Sequence, residues 1–167
     1  MEPFHTYYQS PLGIVRVSGT ESFISEMSFI DNIQQPPPLP QSSQKLPSLL
    51  RQAILQLEEY FRGQRRVFDF ALQQEGTEFQ QKVWHELGNI EFGRTISYLD
   101  LAKRLGDPKV IRASAAANGK NNIAIVVPCH RVIGSKSDLV GYAGGLWRKK
   151  WLLEHENKVA NGVLSLF

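Results

Sequence analysis

Residues 95–119 read TISYLDLAKRLGDPKVIRASAAANG. Ile96, Leu99, Ala102 and Leu105 keep helical spacing, and Gly106 stops the run. Asp107 is a good N-cap and Pro108 suits a first helical turn. A second helix is therefore predicted to run to about Ala117, with Gly119 past its end. Two short helices joined by a tight glycine-containing turn make a helix-turn-helix. The second helix is thin, since Ala113, Ser114, Ala115, Ala116 and Ala117 all carry small side chains. Lys109 and Arg112 bring positive charge near its start. Such a helix suits either a DNA groove or tight packing inside a protein, and spacing alone leaves both readings open.

Upstream of this motif, Thr77 is a fair N-cap for a helix that puts Phe79, Val83, Trp84 and Leu87 on one face, in a segment ended by Gly93. Downstream, LWRKKWLLEHE (residues 146–156) predicts a last helix with Leu146, Leu152 and Leu153 among its packing positions. The start of the chain differs in kind. Aromatic and β-branched runs broken by Ser-Pro-Leu-Gly and Gly-Thr-Glu-Ser predict three short antiparallel strands with hairpin turns. Residues 31–44, rich in Pro, Gln and Ser, predict an exposed mobile loop. Leu46, Leu49, Leu50, Ile54, Leu57 and Phe61 keep helical spacing, and a short strand is expected at Val67–Phe70. The expected fold is α+β. A small N-terminal domain, residues 1–76, holds an antiparallel sheet and a helix. A mostly helical C-terminal domain, residues 77–167, holds the helix-turn-helix.

The chain has 167 residues, 42% apolar and 21% charged, as in ordinary globular proteins. No apolar run approaches the ~20 residues that cross a bilayer, and no basic-then-apolar leader opens the sequence, so no membrane association is expected. Net charge is +3 but uneven. Residues 1–76 carry six Lys/Arg against eight Asp/Glu, and residues 77–167 carry thirteen against eight. The basic C-terminal half points to an anionic partner.

Cys129 is the one cysteine of the chain and lies in IVVPCHRVIG, residues 125–134. One cysteine excludes an internal disulfide and any multi-cysteine zinc site, and the four histidines show no ligand spacing, so no metal is expected. A lone thiol fits a reducing, cytoplasmic location. After Ile-Val-Val the cysteine reads either as a buried hydrophobe in a core strand or as a thiol set to react. A reactive thiol needs help, because its unperturbed pKa is about 8.5. His130 follows it directly, but in an extended chain neighbours point to opposite sides, so direct contact is not implied. A histidine base also needs a third group to orient it, and Glu156 at the end of LLEHE is a candidate.

Several segments together resemble the O6-alkylguanine-DNA alkyltransferases. These are GTEFQQKVWHEL with FGRTISYLDLA, then DPKVIRASAAANGKNN, then IVVPCHRVIG, then GYAGGLWRKKWLLEHE. They span about residues 76–156, and the PCHR signature with the later segments is highly specific. The resemblance implies repair of double-stranded DNA carrying O6-alkylguanine, with O4-alkylthymine a further possible substrate. The helix-turn-helix would enter the minor groove and the damaged nucleotide would be flipped into a pocket. Arg112 would fill the vacated space, and Lys109, Ser114 and Ala115 belong to the same DNA-binding helix. Tyr98 would sit by the flipped nucleotide and donate a proton to the departing guanine. Asn121 would organise the active-site turn. Cys129 would be the nucleophile, with His130 taking its proton through a water and Glu156 orienting His130. Tyr142 and Ala143, with backbone of Val132, would line the pocket, and Arg131 would hold local structure. The thioether product is stable, so each molecule would act once, as a suicidal methyltransferase without a cofactor. A monomer is implied, with cooperative assembly along DNA left open.

Two positions depart from the family pattern. Asn122 stands where the family has proline, which implies a looser turn, and Ala115 stands where it usually has glycine. Three rival readings differ in kind. A non-catalytic lesion-recognition protein would lack the nucleophile that Cys129 supplies. A helix-turn-helix regulator leaves PCHR unexplained and predicts dimers. A cysteine hydrolase predicts turnover on a peptide or ester.

Overall fold

A computed structural model describes residues 2–37 and 46–162 of the chain. The chain falls into two compact units, Met1–Gln74 and Glu75–Phe167.

The first unit is a three-stranded antiparallel sheet with one helix. β1 (Phe4–Ser10), β2 (Gly13–Gly19) and β3 (Ile24–Phe29) lie in the order β1-β2-β3. Ser10 closes the first hairpin: its hydroxyl donates to the Gly13 carbonyl at 2.6 Å and accepts from Leu12 N at 3.0 Å. Register puts Thr6, Tyr8, Val15, Val17 and Met27 on one face of the sheet. Helix α1 (Ser48–Phe61) packs on the sheet with Leu50, Ala53, Leu57 and Tyr60 buried. The opposite face is polar, with Arg16 paired to Glu26 at 2.9 Å and Ser18 donating to Glu26 at 2.7 Å.

The strand expected at Val67–Phe70 does not form. Val67 is 71% exposed, and Asp69 is drawn to the side chains of Gln52 and Gln56 on α1. Phe68 packs on Tyr60 instead, with ring centroids 5.7 Å apart. The chain reaches the sheet only beyond this point, where Ile24 N donates to Ala71 O at 2.9 Å and Gln73 N to Ile24 O at 3.0 Å. Of the expected loop, residues 31–37 have no regular structure, and residues 38–44 lie outside the described residues.

The second unit is mostly helical. α2 (Glu78–Leu87) opens on a capping box between Thr77 and Gln80 and buries Val83, Trp84 and Leu87. It ends at Gly88, ahead of the expected Gly93. Gly76 is required before it, because a Cβ there would collide with the Trp84 ring. α3 (Tyr98–Arg104) and α4 (Ile111–Gly119) form the helix-turn-helix. α3 starts two residues later than its apolar spacing suggests. Ile96 and Ser97 form a short strand, β4, and Ser97 then caps the helix by accepting from Asp100 N. Asp107 accepts from Lys109 N and Pro108 opens a 3-10 turn ahead of α4. Gly119 lies within α4, not beyond it. β4 pairs in parallel with β5 (Val132–Ile133), matching Ile96 to Val132 and Ser97 to Ile133. α5 (Leu146–Asn161) outlasts its expected end by five residues and stops at Gly162, whose φ is +74°. Its Leu146 is exposed, and the inward positions are Lys149, Leu152, Leu153 and Glu156. These follow the i, i+3, i+4, i+7 pattern of a buried helix face. The last residues, 163–167, lie outside the described residues.

Leu57 is fully buried between α1 and the sheet. Leu57→Ala is expected to destabilise the first unit by about 2–5 kcal/mol through lost contacts and the cavity left behind. Urea denaturation followed by circular dichroism measures it.

Candidate active site

The segment before Cys129 is a turn, not the core strand considered above. Asn121 holds it closed. Its Nδ2 donates to Val127 O at 2.8 Å and Ile123 O at 3.3 Å, and its Oδ1 accepts from Ile123 N at 3.0 Å. Ile125 has φ +72°, unusual for a β-branched residue, and is buried. Such a residue stores strain of about 1–3 kcal/mol that its surroundings must hold. The bonds of Asn121 hold this turn with Asn122, not proline, as the next residue.

Cys129–Arg131 then form a single 3-10 turn, so Cys129 and His130 are not arranged as in an extended chain. Cys129 is 7% exposed. Both following side chains turn to α5. His130 Nε2 lies 2.7 Å from Glu156 Oε2. Arg131 donates from Nε to Glu156 Oε1 at 2.7 Å and from Nη2 to Oε2 at 3.1 Å. Arg131 Nη1 also donates to Ile90 O at 2.7 Å.

Electrostatics fix the states of these groups. Burial alone would raise the Glu156 pKa, but His130 and Arg131 outweigh it and hold the carboxyl well below its usual range. Glu156 is therefore an anion and can only accept. It follows that His130 carries its proton on Nε2. Burial lowers the His130 pKa against the pull of Glu156, so the ring is neutral near pH 7. Nδ1 is then a lone-pair acceptor, buried and without a hydrogen-bond partner among the described residues. Burial pushes the Cys129 thiol up, opposed by Asn121 and the charge of Lys149. Lys149 itself is lowered to about 8, chiefly by burial. Its Nζ donates to Val140 O at 2.8 Å and Gly141 O at 3.0 Å.

Tyr98 opens α3 directly after β4, and its hydroxyl donates to the same Val140 carbonyl at 3.1 Å. Burial raises its pKa, as does Cys129 nearby. The structure thus gathers Tyr98, Asn121, Cys129, His130, Val132, Tyr142 and Glu156 in one region, with Tyr142 buried at its hydroxyl and within the field of Cys129. Ala143 is exposed on the loop between β5 and α5. Arg112 and Lys109 are exposed on the helix-turn-helix, and Ala115 is half-buried. Ser114 departs from its expected place on a DNA-contacting surface. It is 0% exposed and donates to Val110 O at 2.6 Å, satisfied inside the protein.

Sequence reading missed Lys149 and Asn118. Lys149 shares a helix face with Leu152, Leu153 and Glu156, and that spacing is a signal visible in the sequence. Asn118 Nδ2 donates to the Cys129 carbonyl at 3.3 Å, and nothing in its local sequence announces that contact.

Known proteins share this arrangement of segments. The 6-O-methylguanine DNA methyltransferase DNA-binding domain matches residues 78–158, and the ribonuclease-like domain of the same family matches residues 4–74. A methylated-DNA--protein-cysteine methyltransferase from Methanosarcina acetivorans is 41% identical over 153 residues, which is 92% of this chain and 97% of its own. The chain belongs to the 6-O-methylguanine DNA methyltransferase family. A relative of the same name from Mycolicibacterium paratuberculosis is 40% identical over 95% of this chain and 94% of its own. Among solved structures, Mycobacterium tuberculosis OGT in complex with DNA matches with TM-score 0.81 and 39% identity, over 93% of this chain and 94% of that one. A crystal structure of the Mycobacterium tuberculosis O6-methylguanine methyltransferase matches with TM-score 0.79 and 37% identity, over 97% of each chain.

Glu156 is 1% exposed. Glu156→Gln leaves Arg131 as an uncompensated buried charge and is expected to cost about 3–5 kcal/mol in urea denaturation. Acid acts in the same direction. The folded pKa of His130 lies below its ordinary 6.5, so the unfolded chain takes up that proton first as pH falls. Its contribution to stability is complete above pH 6.5 and lost below it; that of Glu156 is complete above pH 4.5 and lost below that. The denaturation midpoint should therefore fall between roughly pH 7 and 5. His130→Gln, which keeps a donor for Glu156 but cannot titrate, should flatten that fall.

Proposed function

We propose that this chain repairs O6-alkylated guanine in duplex DNA by moving the alkyl group, once, onto Sγ of Cys129. The observation that supports the site assignment is the His130–Glu156 pair, whose tautomer leaves Nδ1 of a neutral histidine as an open acceptor on the residue next to a buried thiol.

The thiol proton passes to His130 Nδ1 through a water, and the imidazolium that forms is held by the Glu156 carboxylate. The charge of Lys149 favours the thiolate. Sγ attacks the alkyl carbon, the S–C bond forms and the C–O6 bond breaks. The electron pair of that bond goes to the purine, which takes a proton from the Tyr98 hydroxyl. Tyr98 and His130 exchange protons through the site afterwards, so the net result is transfer of the thiol proton to guanine. The sulfur ends as a thioether, which water does not displace, so the protein is consumed. No described cluster of three His, Cys, Asp or Glu side chains could hold a metal.

The helix-turn-helix supplies the approach to DNA. Arg112, Ala115, Ala116 and Gly119 share one side of α4, where a Cβ on Gly119 would meet nothing within 4 Å. A face that thin can enter the minor groove, and Arg112 is placed to occupy the gap left by a flipped nucleotide. Lys109 adds charge toward the phosphates. Val132, Tyr142 and Ala143 line the pocket that receives the base. The chain works as a monomer in this reading. No described helix is long and apolar enough to cross a membrane, and a cytoplasmic location suits a lone thiol that must stay reduced.

Incubation with a duplex carrying O6-methylguanine should add one methyl group to the intact mass, located on Cys129 and absent in Cys129→Ala. Unmodified protein after prolonged incubation would sink the proposal. Arg112→Ala should slow repair in duplex DNA by roughly tenfold or more, because extrusion costs a few kcal/mol. Reaction with free O6-benzylguanine should change far less, and equal losses would rule out the extrusion role. Lys149→Met should move the pH dependence of Cys129 alkylation by a small thiol reagent to higher pH.

A further inference from the structure

The Tyr98 hydroxyl has one proton, and its partner is the Val140 carbonyl, 3.1 Å away. A carbonyl can only accept, so Tyr98 donates. The proposed reaction needs that same proton for the departing purine. One O–H cannot serve both acceptors at once. The bond to Val140 therefore has to open before Tyr98 can act.

That bond also has a structural use. Residues 134–145 run between β5 and α5 without helix or strand. Their backbone bonds close on the loop itself. Gly134 N donates to Asp138 O at 2.8 Å, Ser137 N to Gly134 O at 3.0 Å and Gly145 N to Tyr142 O at 2.9 Å. Lys149 holds Val140 O and Gly141 O, and Arg148 Nη1 donates to Gly144 O at 3.0 Å, but both residues belong to α5. Among the described residues, the Tyr98 hydroxyl makes the one hydrogen bond that ties this loop to α3. The approach is close, since a Cβ on Gly141 would lie 3.9 Å from that hydroxyl. The same loop carries Tyr142, whose buried hydroxyl lies within the field of Cys129.

We propose that the Tyr98–Val140 bond is a latch, which fastens the loop to α3 at rest and is opened by a base that enters the site and takes over the Tyr98 hydroxyl. This rests on the alkyl-transfer reading of the site. Lys149 keeps its two carbonyls when the latch opens, so the loop stays joined to α5 and gives way at α3 only. Val140 O is not orphaned by the exchange, because Lys149 remains on it. One hydrogen bond of Tyr98 is traded for another, so the exchange costs little. A base is held better once Tyr98 is released, and entry of the base and release of the loop therefore favour each other.

Val140–Gly141 is the one Val-Gly pair of the chain. Isotope labelling of valine carbonyl carbons and glycine nitrogens therefore yields a single carbonyl–amide NMR cross-peak, which reports on Val140 O. A carbonyl that loses a hydrogen bond moves its carbon resonance upfield. Tyr98→Phe, which keeps the ring and removes the hydroxyl, should produce that move. Cys129→Ala presents the site without the reaction. Saturating it with a duplex carrying O6-methylguanine should move the resonance in the same direction, whereas a duplex of A and T alone should leave it in place. Combining Tyr98→Phe with Cys129→Ala should abolish the step caused by the lesion. A resonance unmoved by the lesion, an equal move with the A–T duplex, or the same step in the double variant would overturn the latch. The lesion titration of Cys129→Ala decides the matter even if Tyr98→Phe fails to fold. Methyl transfer from the same duplex to the unaltered protein is measured alongside. Absence of transfer overturns the alkyl-transfer reading and the latch with it; transfer with an unmoved Val140 resonance overturns the latch alone.

Discussion

One carboxylate, Glu156, organises the centre of the C-terminal unit. Burying an anion is unfavourable by several kcal/mol unless its hydrogen-bonding capacity is filled. Here it is filled by Arg131, through two nitrogens, and by His130. These donors come from a turn twenty-five and twenty-six residues earlier in the chain. The carboxylate can be satisfied only when that turn and α5 meet. Arg131 extends the arrangement with a bond to Ile90 O and a place over the Phe92 ring, 5.7 Å from its centroid. Glu156 and its partner Arg131 thus tie the segment after α2, the cysteine turn and the last helix together. The same contact sets the tautomer of His130, so architecture and chemistry share one interaction.

A second constraint joins the helix-turn-helix to this centre. The parallel pairing of β4 with β5 is only two residues long, yet it places Tyr98, which follows Ser97, beside the segment that follows Arg131. On the other side, Trp84 Nε1 donates to Ala117 O at 2.9 Å and anchors the end of α4 to α2. One residue later, Asn118 bonds to the Cys129 carbonyl. Both ends of the motif are therefore pinned to the thiol's surroundings. Anything seated on α4 is thereby held at fixed register to Cys129, as the proposed reaction on a flipped nucleotide demands.

Much of this was legible in the sequence, and the failures have physical causes. The capping signals at Thr77 and Asp107 are local, and each gives the cap it promises. The cysteine with its histidine and a distant glutamate was legible because PCHR and LLEHE are specific segments. Val67–Phe70 misled because aromatic and β-branched content marks burial, and here Tyr60 and Asp69's partners on α1 capture the segment before a sheet edge can. Ser114 misled because a small polar residue reads equally as a surface contact or as a side chain bonded to its own helix backbone, four residues back. Lys149 escaped notice because lysine is seldom buried. Two carbonyls from a loop eight and nine residues away, with the Tyr98 ring 5.8 Å from Nζ, make its burial tolerable. Asn118 was illegible for a stricter reason, since its contact depends on how a turn eleven residues later folds.

The site is quiet by construction. Burial raises the thiol pKa and lowers that of the histidine, so both rest in neutral forms. A permanently exposed thiolate would react with any soft electrophile, and a protein that acts once would be wasted by such encounters. Here the thiol is shielded, and in the proposed reaction it becomes a nucleophile only as its proton leaves toward Nδ1. The charges are set for that moment. Glu156 stands ready for an imidazolium and Lys149 for a thiolate, and neither must move when charge separates.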